Sequence, residues 1–210
     1  MCFSASASFT AATLLGAIGY ISYTLIKKRS HSMLASVPVL FSLQQAIEGF
    51  IWLNPNNTLL PYAYLFFAFA IWPTWIPLCF FVFPPPRATK KIIQWLVYAG
   101  IMLSCLLAYL LYVYGAHAHI IGNHIHYVEA YPKSYITELA IDSWYLAVTV
   151  LPFFLMHNIY IACMGGLVLT SCMITVLAWH FHFASLWCFY AALISSCVPI
   201  ILIKKHNTRA

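Results

Sequence analysis

The sequence predicts an all-α fold, a polytopic membrane helix bundle of seven transmembrane helices with the N-terminus outside and the C-terminus cytoplasmic. Three observations carry this reading. Hydrophobic residues make up 63% of the 210-residue chain and charged residues 7%, against about 25% charged in an ordinary soluble domain, so the main solvent is lipid. Seven stretches approach the length of about 20 apolar residues that a helix needs to cross the hydrocarbon layer. The basic residues cluster at alternate breaks between those stretches, as topology signals do.

The spans fall at about 5–26, 33–53, 59–83, 92–114, 136–156, 159–179 and 184–203, and together form a single membrane domain over 1–210. No Lys or Arg precedes the first apolar run, and Cys2 precedes the run instead of following it. Neither a secretory signal nor a lipoprotein signal fits, so the N-terminus is expected to be kept apart from Met1. Asn54-Pro55-Asn56-Asn57 is a turn-rich external hairpin after span two. Pro84-Pro85-Pro86 stops span three, because proline lacks the amide and clashes with the preceding turn. The piece at 115–135 is too short and too polar for a separate domain and reads as a cap or lid. Span five opens with Glu138 and Asp142, and short turns around His157 and His180–His182 separate the last three spans. That spacing leaves a five-span or six-span count open.

Orientation follows from charge. Lys27, Lys28, Arg29, Arg87, Lys90, Lys91, Lys204, Lys205 and Arg209 all fall on one side of a seven-span chain, and only Lys133 falls on the other. The positive-inside rule makes the first side cytoplasmic, and the expected location is a cell membrane, the bacterial inner membrane. The net charge of +6 forms no stripe, so no nucleic-acid partner is expected and the bilayer is the main one. Seven cysteines lie mostly inside apolar runs without a CxxC pair and read as buried thiols.

Only one acid sits well inside a span. Glu48 lies about 7 Å outward of the middle of span two, at about 1.5 Å per residue. Gln44 and Gln45 precede it by four and three positions and Trp52 follows by four, which sets all four along one helical face. An ionisable group in hydrocarbon is costly unless paired or hydrated, and no Lys or Arg occurs within any span. Glu48 must then be protonated, hydrated, hydrogen-bonded or matched by a bound cation, unless it simply ties helices together as a neutral acid. The same lack of lysine excludes retinal Schiff-base chemistry. In span three, Trp72, Pro73, Trp75 and Pro77 combine helix-bending prolines with rings that could line a pocket. Gly165-Gly166 in span six suggests close helix approach.

The external face is rich in histidine. His117, His119, His124, His126, His180 and His182 form three His-x-His pairs on the side that also carries Glu129, Glu138 and Asp142. In extended backbone, residues two apart project to the same side. Each pair could therefore offer two imidazoles to Zn²⁺ or Cu²⁺, with Glu138 and Asp142 completing the shell. Histidine is also the polar residue left over when Lys and Arg are kept out of outer loops.

Met1-Cys2-Phe3-Ser4 with Ala7-Ser8-Phe9, and Leu43-Gln44-Gln45 with Glu48-Gly49 and Trp52, resemble the motifs of a family of uncharacterised bacterial multispanning membrane proteins. The resemblance covers about the first quarter of the chain and implies that the extreme N-terminus and the span-two stripe matter together. The superfamily of membrane hydrolases that includes alkaline ceramidases also uses seven helices, with a zinc held by histidines. Here a His in span two or three and the late pair one turn apart are missing, which argues against a carried-over zinc site.

The leading expectation is a protein that binds or transports a small molecule or ion. Gln44, Gln45, Glu48, Trp52 and Trp72 form its interior site, and a proton or cation is coupled to Glu48. The alternatives are a membrane-embedded metal-dependent hydrolase built on the external histidines and a non-catalytic sensor or assembly factor.

Overall fold

The computed structural model describes residues 4–129, 134–179 and 183–207. Among them are seven helices long and apolar enough to cross a membrane, and the chain is a multi-pass membrane protein. The first span is one helix, α1 (Ala5–Thr24), whose N-cap Ser4 accepts the Ala7 amide at 3.2 Å. Span two begins with a 3₁₀ turn (Arg29–His31) and a short α2 (Ser32–Ala35), then continues as α3 (Val37–Leu53). Pro38 sits in the first turn of α3, where its missing N–H breaks no helical bond.

Span three is not a regular helix. It runs as α4 (Leu59–Phe66), a π-helical turn (Phe67–Ile71) and α5 (Trp72–Val82). Asn57 Oδ1 accepts the amides of Leu59 and Leu60 and starts α4. Span four is α6 (Lys90–Tyr114), closed by Gly115 at φ 79°, a left-handed position that a Cβ would disfavour. Two strands follow, β1 (Ala116–Ile121) and β2 (His124–Glu129), paired antiparallel with Ile121 opposite His124. The remaining spans are α7 (Tyr135–Phe154), α8 (Ile159–Trp179), and a seventh divided into α9 (Phe183–Ser195) and α10 (Val198–Asn207).

A soluble protein would hide its apolar surface, and this one displays it. Helix α6 turns Trp95, Tyr98, Met102, Tyr109 and Tyr112 outward, with Trp95 70% and Tyr112 85% exposed. Those aromatics lie toward the two ends of the helix, where amphipathic rings meet lipid headgroups. Inside, one apolar cluster around Leu34, Phe80, Phe83, Phe153 and Ile201 fills the end of the bundle nearest Lys90 and Lys204. A second, around Ile51, Tyr64, Leu65 and Leu111, fills the opposite end and takes in the hairpin residues Ile125 and Tyr127.

The hairpin is seated by alternation. Ala116, Ala118, Ile125 and Tyr127 are buried against the bundle, and Tyr127 stacks on Tyr64 with ring centroids 4.5 Å apart and planes 5° from parallel. Within the piece at 115–135, the described residues 116–129 lie as a cap over one end, built as strands.

Candidate functional site

The polar stripe of span two is wholly interior. Gln44, Gln45 and Glu48 have no exposed surface, because their three- and four-residue spacing aligns them on the side of α3 that faces α1, α4 and α9. Trp52 continues the stripe half-buried, with its indole nitrogen fully enclosed.

Trp72 reaches the stripe from α5. The π turn before it holds an extra residue per turn and re-phases the helix, as such turns often do at functional sites. Pro73 cannot supply an N–H to the turn above it, and the Tyr145 hydroxyl of α7 donates to the Ala68 carbonyl at 2.6 Å within the same turn. So held, Trp72 stacks on Phe41 at 3.9 Å, and its Nε1 donates to Gln44 Oε1 at 2.8 Å.

From the far side, α9 presents Ser185 and Cys188, three apart and so on one face. Ser185 Oγ donates to Glu48 Oε1 at 2.6 Å, at the short end of the O–H···O range. The Cys188 thiol lies beside Gln44, Glu48 and Tyr64. Helix α1 adds Ser8, fully buried.

The two motif strings of the N-terminal quarter meet here. Gly49 lies directly under Phe9, such that a Cβ at position 49 would stand 2.8 Å from the ring carbons Cε1 and Cζ. Phe9 also packs edge-on against Phe50, with ring centroids 5.1 Å apart.

Four polar atoms in this region are sealed from solvent without a hydrogen-bond partner among the described residues: Gln45 Nε2 and Oε1, Trp52 Nε1 and Ser8 Oγ. Leaving such a group unmade costs about 1–3 kcal/mol. A cluster of this kind on one face calls for a function.

The hairpin histidines behave differently. His119 stands directly opposite His126, and the register puts His117, His119, His124 and His126 on the one face turned away from the buried residues. Among the described residues no three His, Cys, Asp or Glu side chains are grouped to hold an ion, so Zn²⁺ or Cu²⁺ binding is not supported. Glu138 and Asp142 sit in the opening turns of α7, and His180 and His182 lie outside the described residues.

Of the site predicted from sequence, Gln44, Gln45, Glu48, Trp52 and Trp72 share one buried region. Ser8, Ser185, Cys188 and Tyr64 were missed. Ser8 had a signal, since it lies in the Ala7-Ser8-Phe9 string, whereas a serine and a cysteine in an apolar run carry none.

A family model described as "Family of unknown function (DUF6629)" matches residues 1–210. No curated protein and no solved structure matches the chain.

Proposed function

The chain belongs to the DUF6629 family, whose description assigns no activity, and from the site we propose that it binds or transports a small molecule or ion within the bilayer, at Gln44, Gln45 and Glu48. The observation that carries this is the set of four enclosed polar atoms without hydrogen-bond partners among the described residues, together with the buried carboxyl of Glu48. Buried polar groups in native proteins are nearly always satisfied, so a bound guest that completes their hydrogen bonds explains why they are kept there.

Glu48 is the group that couples the guest to a proton or cation. It is the only acid deep in a span, and its carboxyl is oriented by the Ser185 hydroxyl. The N-terminus and the hairpin lie outside, with Lys27, Lys90 and Lys204 on the cytoplasmic side, as the positive-inside rule requires.

The test is proton movement in reconstituted vesicles carrying an internal pH dye. Wild-type protein should conduct or exchange protons in a way that Glu48→Gln abolishes. Identical pH-dependent traces from the two proteins would remove Glu48 from the mechanism.

A further inference from the structure

Apart from the polar stripe, the bundle holds a chamber that no side chain fills. It is a cavity of about 60 Å³ walled by Phe41, Trp72, Phe153, Trp187 and Ala191, which come from α3, α5, α7 and α9. One water needs about 10–15 Å³ of such volume, so the space is several waters in size. Voids larger than a single water are few in a protein interior.

Water is a poor occupant. The N–H and O–H donors of the wall are already spent: the Tyr145 hydroxyl on the Ala68 carbonyl, the Thr149 hydroxyl on the Tyr145 carbonyl, the Trp72 indole on Gln44 and the Trp187 indole on the Val168 carbonyl. What remains is the thiols of Cys79 and Cys188, which are weak donors and weak acceptors, and Cys188 is itself bonded to Gln44. A buried water takes about three polar partners, and this wall does not supply them. An apolar chamber of this kind stays dry.

Nor can the wall close up. Trp72 is clamped between its 2.8 Å bond to Gln44 and its stack on Phe41. Tyr145 is tied across to span three at the Ala68 carbonyl. Helix α5 is pinned to α6, because Gly100 lies directly against the Pro73 carbonyl oxygen and Thr74 Oγ1 stands 2.8 Å from Ser104 Oγ. A void persists where its surroundings cannot relax into it. A dry apolar cavity of about 150 Å³ takes up benzene or xenon; this one has under half that volume, which excludes the aromatic ring.

We infer that the chamber is a binding site for one small, uncharged, apolar molecule of the dissolved-gas class, which reaches the protein from the hydrocarbon layer. The site is distinct in chemistry from the polar stripe and makes no use of Glu48.

The experiment uses crystals of the full chain grown from lipid, some pressurised with xenon and others soaked in benzene. In the wild type, xenon should give an anomalous-scattering peak inside the chamber between Trp72, Phe153 and Trp187, and benzene should leave it empty. Ala191→Leu, which puts its added carbons into the chamber, should abolish the xenon peak. Met164→Ala, which cuts back the wall, should admit benzene.

No xenon peak in the wild-type chamber, or ordered water filling it, would overturn the inference, and benzene density in the wild-type chamber would overturn its size limit. An undiminished xenon peak in Ala191→Leu would place the xenon elsewhere and overturn it as well. The wild-type outcomes decide the matter even if neither variant folds. These readouts involve neither Glu48 nor proton movement, so their failure leaves the function proposed above standing.

Discussion

The contact between Phe9 and Gly49 can be tested by a double-mutant cycle. A methyl group added at Gly49 would stand 2.8, 2.8 and 2.9 Å from three carbons of the Phe9 ring, whereas carbon atoms rest at about 3.5–4.0 Å. The ring must retreat by nearly 1 Å, and Phe50 is packed edge-on against it. Overpacking of this kind costs about 1–3 kcal/mol. Against that, Gly→Ala inside a helix gains about 1 kcal/mol in backbone propensity. Gly49→Ala alone should thus cost about 0–2 kcal/mol, while in a Phe9→Ala background, with the ring gone, it should stabilise by about 1 kcal/mol. The coupling is the difference, about 1–3 kcal/mol, well above the roughly 0.5 kcal/mol scatter of independent sites. Reversible unfolding of the four proteins in mixed micelles, followed by circular dichroism, measures it. If Gly49→Ala has the same effect with and without the Phe9 ring, the two motif strings do not act through this contact.

Other outcomes follow from the same geometry. Ser185→Ala removes the donor to Glu48 Oε1 and should cost about 1–3 kcal/mol in the same unfolding assay, with Ser185→Thr recovering part of it. Trp72→Phe keeps a ring on Phe41 but leaves Gln44 Oε1 without its donor; a similar loss of about 1–3 kcal/mol is expected, together with loss of a buried, blue-shifted tryptophan emission. Gly100→Ala drives a methyl group into the Pro73 carbonyl oxygen, a backbone atom that cannot swing aside, and should lower the folded yield more than Gly166→Ala, where the space is open. Tyr127→Ala removes the stack on Tyr64 and should speed hydrogen exchange at 116–129 without changing exchange in α6. A cysteine placed at Asn56 should react with an impermeant maleimide from outside intact cells and one placed at Lys90 should not; the reverse pattern would invert the topology.

The membrane setting, the helical class and the interior polar stripe were legible in the sequence, because hydropathy over about 20 residues and the three- and four-residue spacing of Gln44, Gln45, Glu48 and Trp52 are properties of neighbouring residues. The hairpin was legible only in part. Alternation put pairs of histidines on one side of an extended segment, but the cross-strand register that sets His119 opposite His126 is a property of the paired strands and not of neighbouring residues.

What only the tertiary structure decided is how the stripe is completed. Ser185 reaches Glu48 across 137 positions of chain, and nothing in an apolar run distinguishes that serine from Ser195, which bonds to its own helix at the Ala192 carbonyl. The direction of the Gln44 amide is likewise invisible in sequence, because its two ends have the same shape and only the Trp72 N–H tells them apart. Periodicity determined which residues face inward; packing between distant helices decided what each inward atom meets, and so which atoms remain for a guest.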